Sequence, residues 1–298
     1  DLLGSSATLG EDYQLRDYHG VSIKVYPFDY NPVAKKLKAY SSVTMKVKFN
    51  SNRSVQTAQK TNRTFDAVYA NQFLNYGGLR GTPVAEEGDI LIIAPEQFLA
   101  TMQPYADWKI RNGYNTEVVN LSNVGSNANT IKSYILDYYN NHNLAFVIIV
   151  GDNAQFPTPT VSGNKSDNYF TELVGDDSYP DIILGKISAE TVAQVETQVQ
   201  RFIAYEQNPS ETSHFPVFMG IASNQGPGDN NEYDYQHIRN INNKLQNYTY
   251  TSGYELFEGS QGGLDASGDP TASMVATAVN SGVGIISYCG HGAEQQWV

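Results

Sequence analysis

At 298 residues the chain exceeds the usual size of one domain, so two domains are expected. A net charge of −12 excludes the basic face that phosphate binding requires, which sets nucleic acids aside, and no apolar run is long enough to cross a bilayer. The single cysteine, Cys289, rules out an internal disulfide, while the excess of carboxylates leaves hard cations open as ligands.

The first 50 residues read as antiparallel strands. Val21–Tyr26 and Val43–Phe49 alternate apolar and polar positions, Asn31-Pro32 supplies turn chemistry, and Lys36–Tyr40 forms another short strand. Residues 50–63 are polar and aperiodic, as in a linker. Tyr76-Gly-Gly-Leu-Arg80-Gly81-Thr-Pro83 then reads as an exposed, turn-rich joint between domains.

Beyond the joint the rhythm changes. Asp89–Ala94 and Ala145–Val150 are continuous apolar runs of the kind buried on both faces of a parallel sheet. Helical spacing over Phe98–Asn112, Ala128–Tyr139 and Thr191–Tyr205 alternates with these runs and with short strands at Asn115–Asn120 and Ile182–Leu184. The pattern restarts with strands at Pro216–Ser223, Tyr254–Phe257 and Val283–Tyr288, separated by helices at Tyr235–Gln246 and Pro270–Ser281. The fold class is therefore α/β, with mainly parallel sheets flanked by helices and a small β-rich region in front. Three segments follow: 1–80, 81–210 and 211–298.

The last strand runs into Cys289-Gly-His291-Gly292. Ligands of open α/β sheets bind beyond the carboxyl ends of strands, and an imidazole between two glycines can approach a substrate backbone closely and work as acid or base. On spacing alone, His291 is equally a histidine in a surface turn. A Cys289–His291 dyad is set aside, because nucleophile and base normally come from different segments and a lone cysteine is usually a small core residue.

Tyr288–Trp297 resembles the His-Gly motif of the gingipains, caspase-like cysteine peptidases of Bacteroidetes (peptidase family C25). The likeness extends over residues 81–298 through Ala106–Tyr114, Val147–Asp152, Lys165–Tyr169 and Ser188–Glu206 in order, and Tyr26–Val33 resembles the family's prodomain. The resemblance implies a caspase-like catalytic domain behind a prodomain of residues 1–80. It gives His291 the role of catalytic histidine, with the Gly292 N–H as an oxyanion donor. Gln225 falls where the family has an acid that orients that histidine; an amide accepts the ring N–H but cannot stabilise an imidazolium by charge. Asp234 falls at the base of the pocket of the arginine-specific members, where a carboxylate takes a guanidinium in a bidentate pair; read without the resemblance, Asp234 is as readily a helix cap. Activation cleavage between Arg80 and Gly81 is implied, with Arg80 occupying that pocket in the latent precursor.

The resemblance also implies a structural calcium ion held by Asp152, the Val174 carbonyl, Asp177, the Tyr179 carbonyl, Asp181, Glu232 and His237. It puts the nucleophilic cysteine beyond Val298, so this chain is expected to need a remaining C-terminal part, which would supply a further strand and cover apolar surface. The chain opens at Asp1 without a leader, as a processed product would. The implied partners are arginine-containing peptides and the chain's own prodomain, and the implied location is secreted or on the cell surface by type IX secretion. Two other roles fit the same residues: a sortase-like peptidase of that secretion route, or a binding protein on this fold without catalysis.

Overall fold

The structure is a computed structural model and describes residues 7–48, 62–79, 86–209, 212–293 and 296–297. They divide into two compact units, Asp1–Ala204 and Tyr205–Val298.

The first unit opens with a hairpin of β1 (Ala7–Leu15) and β2 (Tyr18–Val25), antiparallel, with a register shift between Leu9 and Asp12. A second hairpin joins β3 (Phe28–Asn31) to β4 (Lys36–Ala39). Its turn forms because the Asn31 side chain accepts from the N–H groups of Val33 and Ala34, as the Asn-Pro pair leads one to expect. The strand expected at Val43–Phe49 is not there: residues 43–48 belong to no ladder, with Met45 and Val47 each 43% exposed. Alternation shows which face a strand would bury, but no neighbouring strand pairs with these residues, and Phe49 lies outside the described residues.

The tract read as a linker ends in α1 (Arg63–Gln72), capped by Asn62 and burying Phe65 and Tyr69, followed by the helical turn α2 (Tyr76–Leu79). The start of the joint is thus not exposed. Tyr76 is buried and its hydroxyl donates to Asp66 Oδ1 at 2.7 Å. Leu15, Tyr18, Phe65, Tyr69 and Tyr76 share a core cluster with Ala145, so the N-terminal residues pack into the first unit. Arg80 and Gly81 lie outside the described residues.

A three-layer α/β/α sandwich follows. In chain order come β5 (Asp89–Ala94), α3 (Glu96–Arg111), β6 (Thr116–Asn120), the turn α4 (Leu121–Val124), α5 (Ala128–Asn141) and β7 (Leu144–Val150). A small hairpin, β8 (Thr160–Val161) and β9 (Asn164–Lys165), precedes β10 (Ile183–Ile187) and α6 (Val192–Gln207). The sheet order is β10-β7-β5-β6, all parallel. Strand side chains alternate between faces, so Leu91, Ile93, Val147 and Ile149 meet Ile131, Ile135 and Tyr138 of α5. Ile90, Ile92 and Val150 meet Phe98 and Met102 of α3 and Val195 and Val199 of α6 on the other side. Burial on both faces explains the unbroken apolar runs.

The second unit repeats this scheme on a smaller scale. Its parallel sheet, ordered β12-β11-β13, contains β11 (Val217–Ala222), β12 (Ser252–Phe257) and β13 (Ile285–Cys289), crossed by α7 (Asp234–Tyr248) and α8 (Ala272–Ser281). Met219 and Ile221 face α8, while Ala222 and Phe257 face Ile238 of α7. Gly220 lets α7 come close, since a Cβ there would stand 2.5 Å from Ile238 Cγ2. Behind it, Glu255, 4% exposed, takes two N–H groups of Arg239 at 3.0 and 2.8 Å and the Asn242 amide at 3.2 Å. A short ladder, β14 (Gly292–Ala293) with β15 (Gln296–Trp297), follows β13.

Candidate active site

The register of the second sheet sets the site. Ala222 of β11 pairs with Cys289 of β13, so the residues that follow the two strands emerge side by side at the carboxyl edge. The Ser223 N–H extends the ladder by donating to the Cys289 carbonyl at 3.0 Å.

Three residues past β11 and two past β13, Gln225 and His291 meet: His291 Nε2 lies 2.7 Å from Gln225 Oε1. Oε1 is an acceptor, so Nε2 carries the proton in this pair and Nδ1 keeps its lone pair. Both residues are exposed. The backbone on each side is also fixed. The Tyr288 hydroxyl donates to the His291 carbonyl, and the Asn224 N–H donates to Glu258 Oε2 at 2.8 Å. Gly292, exposed, starts β14 directly after the imidazole.

Asp234 is the first residue of α7, one place inside its N-cap, Tyr233. A carboxylate there sits favourably on the helix dipole, but its oxygen is engaged from the sheet: the Ser223 hydroxyl donates to Asp234 Oδ2 at 2.5 Å. The Asp234 N–H in turn donates to the Gln225 carbonyl at 2.9 Å, which ties the acid to the histidine's partner. Cys289 completes this group. Its thiol is pushed up from the ordinary value, first by burial and then by the negative charge of Asp234 and a hydrogen bond to that carboxylate. A raised thiol pKa lowers the fraction of thiolate, the nucleophilic form.

The side chains implied as calcium ligands each have a partner in the structure. Asp181 is fully buried. One oxygen accepts the Arg16 N–H, the other the N–H groups of Leu173 and Val174, all at 2.8 Å. Burial raises its pKa against the pull of these donors and of the Arg16 charge. Asp177 accepts from the Tyr179 N–H at 2.9 Å and the Gln14 N–H at 2.6 Å. Asp152 accepts from the Asn153 N–H. In the second unit, Glu232 accepts from Asn240 and contacts His237 Nδ1 at 3.1 Å. Among the described residues no cluster of three acidic, histidine or cysteine side chains is arranged to hold a metal. A carboxylate offers about four acceptor sites, so Asp152 and Asp177 keep lone pairs for a cation, whereas Asp181, with three N–H donors, keeps the least.

Reading the sequence alone missed Ser223, Tyr288 and Glu258. Ser223 closes the strand expected at Pro216–Ser223, and a hydroxyl at a strand's carboxyl end is the one signal that could have pointed to it.

A parallel sheet with a glycine-flanked histidine on its carboxyl edge puts a candidate acid–base group where ligands of such sheets bind. Family comparison makes this specific: residues 84–298 match the Peptidase family C25 model and residues 1–80 match Propeptide_C25, and the chain belongs to this family. Gingipain R2 of Porphyromonas gingivalis is 31% identical over 99% of this chain and 40% of its own length. Gingipain R1 of the same organism is 32% identical over 99% of this chain and 30% of its own. The chain thus spans less than half the length of these relatives. The crystal structure of the Arg-specific cysteine proteinase gingipain R (RgpB) superposes with a TM-score of 0.63 at 31% identity, covering 73% of this chain and 50% of that one. The complex of the RgpB pro- and mature domains gives the same TM-score over 70% and 49%.

Proposed function

We propose that this chain is the propeptide and the leading part of the catalytic region of a cysteine endopeptidase that cleaves after arginine. The observation that carries it is the His291 Nε2–Gln225 Oε1 contact of 2.7 Å at the carboxyl edge of the second sheet. It holds the ring with Nδ1 free to take a thiol proton. The nucleophile is a thiolate from a segment other than those described, since burial and the negative charge of Asp234 push the Cys289 thiol up. Attack of that thiolate on the scissile carbonyl forms a C–S bond. His291 hands the proton to the departing amine, and water then cleaves the thioester. The Gly292 N–H faces the developing oxyanion. Asp234, exposed enough to meet a guanidinium and held by Ser223, supplies the arginine preference that the relatives' names carry. Cleavage after Arg80, at the boundary between the two family segments, separates propeptide from enzyme. Secretion to the cell exterior accords with the net charge of −12 and with a structure in which no described helix is long and apolar enough to cross a membrane.

The test is turnover of paired peptides, with arginine or lysine followed by an amide-linked reporter amine as leaving group, by the whole protein that contains this chain. Arginine peptides are expected to be cut at least about 100-fold faster than lysine peptides, and His291→Ala to lose about 10³-fold in kcat/KM. Inertness towards both peptides, or a His291→Ala variant of unchanged rate, overturns the proposal. One observation favours a second role, a binding protein without catalysis: the histidine's partner is an amide with no charge to offer an imidazolium.

A further inference from the structure

The turn of the first hairpin carries an arginine that a surface turn does not need. Arg16 has φ +53° and is 1% exposed. Its guanidinium lies between two aromatic rings, 4.2 Å from the centroid of Phe65 and 4.8 Å from that of Tyr139. Nη1 donates to the carbonyls of Leu144 and Asp181 at 2.9 and 2.6 Å, while Nε and Nη2 have no hydrogen-bond partner among the described residues. The backbone joins in, as the Arg16 N–H donates to Asp181 Oδ1 and the Gln14 N–H to Asp177 Oδ2. Beside them the ring of Tyr13 stacks on Tyr179 with centroids 4.3 Å apart.

Every one of these contacts except that with Phe65 crosses from the propeptide segment, 1–80, to the peptidase segment, 84–298. All of them lie in the first unit, whereas His291 belongs to the second. We infer that Arg16 is the anchor that holds the propeptide on the peptidase once the chain between them is cut. The partner surface is the socket made by Tyr139, Leu144 and Asp181.

The chemistry supports an anchor over a filler. A fully desolvated guanidinium flanked by aromatic faces, in a well-packed socket, is the pattern that concentrates binding energy in a few residues of an interface. Lysine does not reproduce it, because an ammonium offers no planar face to stack between the two rings. Withdrawal also leaves the Asp181 carboxylate buried without one of its three N–H donors, so release is opposed from both sides of the contact.

The experiment severs the full chain in place, with the recognition sequence of an unrelated protease substituted within residues 80–84, and follows loss of the 1–79 fragment after dilution. This cut does not use the arginine specificity proposed above, so failure here and failure there are separate results. The unaltered sequence is expected to keep its fragment. Arg16→Ala is expected to raise the dissociation rate at least about 100-fold and Arg16→Lys about 10-fold, with the exposed His19→Ala within about twofold. Should Arg16→Ala not fold as a full chain, Arg16→Lys decides alone. Retention by Arg16→Lys equal to that of the unaltered sequence, or by a folded Arg16→Ala within about threefold of it, overturns the inference.

Discussion

The two acid groups of the molecule use the same residue type for opposite ends. In the first unit, Asp181 is sealed from solvent and its oxygens are taken by three N–H groups. In the second, Asp234 stays half-buried at a sheet edge, held from one side by a hydroxyl and a thiol. A carboxylate surrounded by donors organises the backbone around it, and one anchored from a single side keeps capacity for a ligand. The first group is architecture and the second is the one proposed to meet substrate, and substitutions tell them apart.

Asp181→Ala breaks the first group and carries the largest expected effect. It strands the N–H groups of Arg16, Leu173 and Val174 in a dry site, and unpaired buried donors together with the Arg16 charge cost about 3–5 kcal/mol. Urea unfolding of the chain should show the loss as a lower midpoint. The pKa adds a sign. An acid whose folded value is raised favours folding while protonated, and that contribution fades as pH climbs from the unfolded value through the folded one. The stability difference between the unaltered chain and Asp181→Asn should therefore change across the acidic range and level off above it.

Gln225→Glu sharpens the second group. Placing a carboxylate 2.7 Å from His291 Nε2 supplies the charge that the amide lacks. In the whole protein, kcat/KM on arginine peptides should rise about tenfold. That is well short of the roughly 10⁴-fold that separates acid from amide in a serine-protease triad, because here the amide already fixes the tautomer. A fall in rate would show that Gln225 is suited to another task.

What the sequence disclosed follows the same division. The strands Asp89–Ala94 and Leu144–Val150 were legible because burial on both faces leaves an unbroken apolar run. Strand Ala7–Leu15 was not singled out, since the register shift between Leu9 and Asp12 interrupts its period of two. Helix Arg63–Gln72 hid behind the polar tract before it, although Phe65, Tyr69 and Phe73 are spaced four apart. His291 and Gln225 were found one at a time, from motifs. The bond from Ser223 to Asp234 was not, because it depends on strand 217–222 pairing with 285–289 in one register. Arg16 gave no sign at all: a basic residue in a hairpin turn reads as surface until the socket is seen.

Cys289 provides a smaller, cleaner probe of the second group, since it is the chain's single thiol. Burial and Asp234 both disfavour the thiolate, so alkylation should set in at a higher pH than for a free cysteine. Asp234→Asn removes the charge and should move that onset back down. An onset unchanged by Asp234→Asn would mean that burial alone holds the proton.

Calcium should have the smallest effect of all. A structural ion at about 100 times its Kd adds roughly 2.7 kcal/mol, a rise of several degrees in Tm. The carboxylates of Asp177 and Asp181 already accept two and three backbone N–H groups, which takes up much of their acceptor capacity in a site that Arg16 helps to close. Melting of the intact chain in calcium and in chelator should therefore agree to within about 1 °C. A larger rise with calcium would mean that the loop holding Asp177 and Asp181 rearranges to free its oxygens. In that case, the contrast between an acid spent on structure and an acid kept for a ligand would hold only while the hairpin turn stays in its socket.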